Sequence, residues 1–176
     1  RAELVAVAAR HGAARPSAER FFRSLHRDGA VSFTGIEGLA DEFSIDPLTP
    51  VRHTRSDDGS TEKVLFRLWD GEQIETVMMR YDPDGHRRSR RTVCVSTQAG
   101  CAFGCTFCAT GQQGFRRQLA VGEIVGQVVA MARATDAAVT NVVFMGMGEP
   151  LANYDRTMKA IRILCDGRGL HIGPRH

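Results

Sequence analysis

Three cysteines, Cys101, Cys105 and Cys108, stand at C-x-x-x-C-x-x-C spacing on a short segment bounded by a strand-like run and a helix-like run. No ordinary core asks for thiols at that density, so a fold carrying this segment must hold a loop built around them. Four of the five cysteines lie between 94 and 108. A secreted disulfide scaffold spreads its cysteines and pairs them all. The N-terminus, Arg1-Ala2-Glu3-Leu4, has no charged region leading into an apolar core, so nothing suggests a secretory leader. Clustered thiols without a leader point to a reducing, cytoplasmic setting and to a metal or redox site. No stretch of about 18 apolar residues is present, and no membrane span is expected.

The flanking pattern is that of an α/β fold. Thr92-Val93-Cys94-Val95-Ser96 alternates as a strand does, and the cysteine loop follows to about Arg117. Val121, Ile124, Val125, Val128, Val129 and Ala132 then form an amphipathic helical stripe. Asn141-Val142-Val143-Phe144-Met145 suits a buried parallel strand. Met158, Ile161, Leu164 and Cys165 give a second stripe, with Cys165 expected in the core. Strand, loop, helix, strand, helix is the rhythm of a parallel sheet or (β/α) barrel. The chain runs to Gly173-Pro174-Arg175-His176 where a third strand is due, and is expected to stop short of closing a barrel.

Upstream, two different regions are expected. Residues 1–50 read as a small helical module: Ser17 is an N-cap candidate before Phe21, Phe22 and Leu25. Ile36, Leu39, Ala40 and Phe43 predict a second helix, and Pro47 and Pro50 end the module. Residues 51–91 read as a β meander and linker, with turns at Asp58-Gly59 and Asp70-Gly71. Strands are expected over 63–69 and 73–79, and a polar loop over 82–91. Residues 92–176 are the start of the barrel. Within the linker, His86-Arg87-Arg88-Ser89-Arg90-Arg91 concentrates basic side chains in a chain of net charge +3. Such a run attracts phosphates, and a solvated loop reads the same way.

The chemistry follows from the ligand count. Thiolates are the usual ligands of iron–sulfur clusters, and most cubane clusters take four. Cys101, Cys105 and Cys108 hold three corners and leave one iron open to a substrate. Phe107, directly before the last cysteine, is expected to cover one side of a molecule bound at that iron. The alternative is a structural zinc with Cys94 as fourth ligand, although zinc sites usually come as paired C-x-x-C knuckles. A second motif, Gly146-Met147-Gly148-Glu149-Pro150, ends the strand 141–145. Ligands in parallel α/β folds gather at the carboxyl ends of strands. There Gly148 lets the backbone approach a ligand and the Glu149 carboxylate can accept from an ammonium group. A plain glycine turn stopped by proline is the other reading.

Cys94-Val95-Ser96-Thr97-Gln98-Ala99-Gly100-Cys101, Cys105-Thr106-Phe107-Cys108-Ala109-Thr110-Gly111-Gln112-Gln113-Gly114-Phe115 and Phe144-Met145-Gly146-Met147-Gly148-Glu149-Pro150-Leu151 together resemble the radical S-adenosylmethionine (SAM) RNA-adenine methyltransferases. The resemblance covers this whole chain but only about the front half of the family's length. It implies a [4Fe–4S] cluster on Cys101, Cys105 and Cys108, with the SAM amino end at Gly148 and Glu149. It implies methylation of C2 of an adenine in 23S rRNA and in tRNA, through a methyl group carried on a cysteine beyond residue 176. Cys94 takes the place of a cysteine that resolves the RNA–protein crosslink through a transient disulfide. Ile74-Glu75-Thr76-Val77 matches the segment whose Glu is the proton acceptor, so Glu75 inherits that role. After Val77 the match is irregular, with Arg80 where many relatives have Pro. Partners implied are 23S rRNA, tRNA and an electron donor such as flavodoxin. The chain alone is then expected to bind a cluster without methylating RNA.

Three rival functions remain open at this point, one of them a radical SAM activating enzyme for another protein, which would not need the basic loop or the N-terminal helical module. A sister family methylates C8 of the same adenine and confers antibiotic resistance, and it shares both motifs. A non-enzymatic, zinc-stabilised RNA-binding module is the rival of a different class.

Overall fold

The computed structural model describes residues 1–28, 32–82, 89–135 and 138–173. Its centre is a five-stranded sheet in the order β1-β2-β3-β4-β7. β1 (Thr49–Arg55), β2 (Thr61–Arg67), β3 (Gln73–Tyr81) and β4 (Arg90–Cys94) form an antiparallel meander. β7 (Asn141–Val143) then joins β4 in parallel. The meander and the first barrel strand thus share one sheet across residues 91 and 92. β4 starts at Arg90, inside the stretch read as a loop, and residues 86–88 of the basic run lie outside the described residues. Both expected Asp-Gly turns close hairpins. Pro50 falls in β1, an edge strand, where a register shift between Pro50 and Arg52 accommodates the residue without a donor.

One face of the sheet is dry. Val64, Phe66, Ile74, Met78 and Val93 pack in one core with Ile124, Val128 and Met131 of α4 (Val121–Thr135). Ala160 and Leu164 of α5 (Tyr154–Leu164) complete that core. The buried side of α4 is wider than the aliphatic stripe, because Glu123 and Gln127 are buried with it. Cys165 is the C-cap of α5 and only half-buried, rather than a core residue.

The N-terminal residues build a second, smaller core. Ala8 of α1 (Ala2–Arg10), Ala18 and Phe21 of α2 (Arg15–Arg23), Ile36 and Leu39 form a separate buried cluster. Pro16, not Ser17, marks the start of α2: the N-cap is Ala14 and the proline occupies the first turn, where no N–H is needed. The helix expected over 36–43 is a single 3₁₀ turn, Glu37–Leu39. Ile36 and Leu39 are buried without it, while Phe43 stays 45% exposed.

Candidate radical SAM site

After β4 the chain crosses under the loop that follows β7 before it turns outward. The Val95 N–H donates to Val143 O (2.9 Å), and the Gly146 N–H donates to Val95 O (3.1 Å). The Thr97 N–H donates to Met147 O (2.8 Å). Ser96 is the junction of three segments: its hydroxyl donates to Glu75 O (2.7 Å) and accepts from the Met147 N–H (2.9 Å). Gln98 extends the link, its Oε1 accepting from the Glu149 N–H (3.0 Å) and its Nε2 donating to Gln118 Oε1 (3.1 Å). Asn153 Nδ2 donates to Thr97 O (2.9 Å) and Leu119 O (3.0 Å), closing the rear. The cysteine loop and the Gly-Met-Gly-Glu-Pro loop therefore leave the carboxyl ends of adjacent parallel strands as one hydrogen-bonded body.

The cysteine loop is carried on a small hairpin. β5 (Gln98–Gly100) pairs with β6 (Phe115–Gln118), and the one-turn α3 (Ala109–Gln113) lies between them. Gly100 has φ +70°, and a Cβ there would sit 1.9 Å from Gly114 O, so only glycine lets the two strands meet just before Cys101. Cys101 and Cys108 are half-buried and Cys105 is exposed. The Phe103 N–H points at Cys101 Sγ (3.4 Å). The Cys108 thiol is shifted toward the thiolate, chiefly by the Gly111 N–H and then by the N–H and hydroxyl of Thr110. Among the described residues no three His, Cys, Asp or Glu side chains already converge on a metal position. The structure puts the three thiols on one open loop without closing them on a common centre. The donor set nonetheless fits a cluster: three accessible sulfurs, two of them receiving backbone N–H groups, on a loop whose ends are fixed. Phe107, expected over a cofactor, is 91% exposed.

Gly148 has φ +92°, and a Cβ there would lie 2.5 Å from Gln98 Cβ, so the loop meets Gln98 only as glycine. Glu149 uses Oε1 to accept from the Leu151 N–H (3.0 Å), capping the 3₁₀ turn Pro150–Asn153. Cys94 pairs with Val77 across the sheet, two residues along the same face from Glu75. Partial burial raises the Cys94 thiol pKa against the Met145 N–H that lowers it, which favours the protonated thiol. Glu75 is partly exposed and forms an ion pair with Lys63 (2.9 Å).

The polar residues that hold this site together, Ser96, Gln98, Gln127 and Asn153, were not candidates on sequence. Gln127 left one signal, a polar residue four positions after Glu123 on an otherwise aliphatic helix face.

Comparison with known proteins now decides the family. The family model described as "Radical SAM superfamily" matches residues 95–175. Residues 95–175 of this chain belong to the radical SAM superfamily. This radical SAM chain is 45% identical over 168 residues to the dual-specificity RNA methyltransferase RlmN 1 of Myxococcus xanthus, covering 89% of this chain and 45% of the relative. It is 49% identical over 140 residues to the ribosomal RNA large subunit methyltransferase N of Nitrosopumilus maritimus, covering 76% of this chain and 39% of the relative. A crystal structure of a radical SAM methyltransferase from Sphaerobacter thermophilus superposes with a TM-score of 0.88 at 45% identity, covering 99% of this chain and 52% of that one. The chain therefore spans about half the length of the relatives it matches. Membership implies a [4Fe–4S] cluster and SAM as cofactors, and the mixed α/β fold agrees with a partial barrel. Among the described residues no helix is long and apolar enough to cross a membrane.

Proposed function

We propose that this chain is the cluster-binding part of a cytoplasmic enzyme that methylates C2 of an adenine in 23S rRNA and in tRNA. Support comes from relatives named for RNA methylation and from motifs that continue through both site loops. The observation that carries the reading is the hydrogen-bonded junction of residues 95–98 with Met147 and Glu149, which sets the three-cysteine loop beside the expected SAM loop.

In this reading Cys101, Cys105 and Cys108 hold the cluster, and Gly148 and Glu149 receive the amino end of SAM. The cluster with SAM supplies one-electron reductive cleavage and so a hydrogen-abstracting radical, fed by a donor such as flavodoxin. Glu75 accepts the proton that leaves the adenine, its carboxylate meanwhile oriented by the ion pair with Lys63. Cys94 waits as a thiol to resolve the crosslink through a transient disulfide. The methyl-carrying cysteine is expected outside this segment, so the segment alone binds cofactors without turnover.

The test is anaerobic reconstitution with iron and sulfide, beside Cys101→Ala, Cys105→Ala and Cys108→Ala. The expected result is about four irons per chain with a broad visible absorption, lost in each variant. Stoichiometric zinc and no chromophore would instead favour the zinc-stabilised RNA-binding module. Mapping the methylated carbon in RNA treated with an assembled enzyme containing this segment separates C2 from C8.

A further inference from the structure

Trp69, the one tryptophan of the chain, lies in the turn between β2 and β3 and is 81% exposed. An indole so placed adds almost nothing to either core, yet it is not loose. The Arg117 guanidinium lies over its ring, 5.6 Å from the centroid. That guanidinium is itself fixed before it meets the indole. It donates to both oxygens of buried Glu123 (2.8 and 2.8 Å) and to Asp70, the neighbour of Trp69. The turn is closed in turn by the Gly71 N–H to Leu68 O (3.0 Å) and the Leu68 N–H to Glu72 O (2.8 Å).

The position of this pair gives it meaning. β3 and β4 are antiparallel, so the β2–β3 turn stands at the carboxyl end of β4, where the cysteine loop emerges. Arg117 pairs with Ala99, two residues before Cys101. Arg67 and Arg116, near in sequence to either member of the pair, are exposed and make no ion pair among the described residues. A fixed aromatic face, with exposed guanidinium groups close to it in sequence, suits unpaired nucleic-acid bases: the ring stacks and the cations meet the backbone.

We propose that Trp69 is a stacking platform at the mouth of the barrel. One indole face is held by Arg117, and the other receives an unpaired base of the RNA substrate. This rests on the RNA reading above. It adds the residue that favours single-stranded over paired RNA at this rim.

Because Trp69 is the sole tryptophan, its fluorescence reports directly on stacking. The chain is titrated with a short RNA hairpin carrying an adenine in its loop and with a fully paired RNA duplex of the same length. Affinity is read separately from the anisotropy of labelled RNA. The hairpin is expected to quench Trp69 strongly and the duplex weakly. Trp69→Ala should weaken hairpin binding about ten-fold, and Trp69→Phe should recover most of it. The salt dependence should stay the same in both variants, since no phosphate contact is removed. The exposed position keeps both variants folded, checked by their melting curves. Hairpin binding with unchanged fluorescence and full affinity in Trp69→Ala overturns the platform and leaves the RNA reading standing. Equal quenching by the duplex overturns the preference for an unpaired base. Absence of any RNA binding at low salt overturns the RNA reading and the platform with it.

Discussion

Gln127 uses every hydrogen-bonding position of its amide. Oε1 accepts from the Thr76 hydroxyl (2.8 Å) and the Ser96 N–H (2.7 Å), while Nε2 donates to Ser96 O (2.9 Å) and Glu123 O (3.2 Å). The residue is fully buried, so water cannot replace it. Gln127→Leu keeps the volume but strands both backbone groups of Ser96. Each unpaired buried group costs about 1–3 kcal/mol, so urea unfolding should show a loss of roughly 3 kcal/mol. An unchanged midpoint and slope would mean Ser96 is not held from α4. Gly148→Ala tests a different constraint, a left-handed backbone pressed against Gln98. Strain of this kind costs about 1–3 kcal/mol, and relief by moving the loop would break the Glu149 N–H bond to Gln98. The expected outcome is a cluster-loaded chain with normal iron content whose electron paramagnetic resonance signal no longer changes on adding SAM. A normal response to SAM would show that this loop is not part of the SAM site.

At the scale of elements, the turn after α2 departs from regular α-helix. Ser24–Asp28 is a single π-helical turn carrying His26, whose ring packs on Phe22 (centroids 4.5 Å apart). Burial depresses the His26 pKa to about 4, opposed by Asp166. The unfolded chain binds this proton near pH 6.5 and the folded chain only near pH 4, so stability is complete above 6.5 and is lost as pH falls through that window. A fall in Tm of roughly 5 °C between pH 7.5 and 5 is expected, and it should be much smaller in His26→Phe. An equal fall in both would assign the pH dependence elsewhere. Sequence patterning located the elements that bury a long aliphatic face, such as α4, and the strands closed by Asp-Gly turns. It failed where packing replaced regular structure. The stripe Ile36, Leu39 and Phe43 has helical spacing, but burying two of the three against α1 and α2 needs only one 3₁₀ turn. In the site, Cys101, Cys105, Cys108 and the Gly146–Pro150 loop were legible because their chemistry is local. Gln98, Gln127 and Asn153 were not, since a buried amide whose partners lie 20 to 56 residues away looks like any surface residue in one dimension.

The molecule as a whole is two cores joined by a soft seam. Exposed ion pairs between Lys159 and Glu3 (2.7 Å) and between Arg168 and Glu19 (2.9 Å) bridge them, and Arg27 donates to Gly169 O (2.9 Å) and Gly167 O (2.8 Å). Exposed pairs of this kind contribute little, and between the helical module and α4 lies a mainly apolar cavity of about 390 Å³ bordered by Phe21, Leu39, Val125 and Val129. The segment that leads into the cysteine loop, residues 95–98, is by contrast bolted to the β7 loop by direct backbone bonds. Metal loading should therefore spread along one path and not the other. Amide hydrogen exchange before and after cluster reconstitution is expected to slow over 101–114 and at Met147 and Glu149, while α1 and α2 exchange as before. Removing the iron with a chelator should reverse only the first change. Slowing across all elements alike would mean that the cluster organises both cores together, and that the seam is stiffer than its exposed ion pairs and cavity imply.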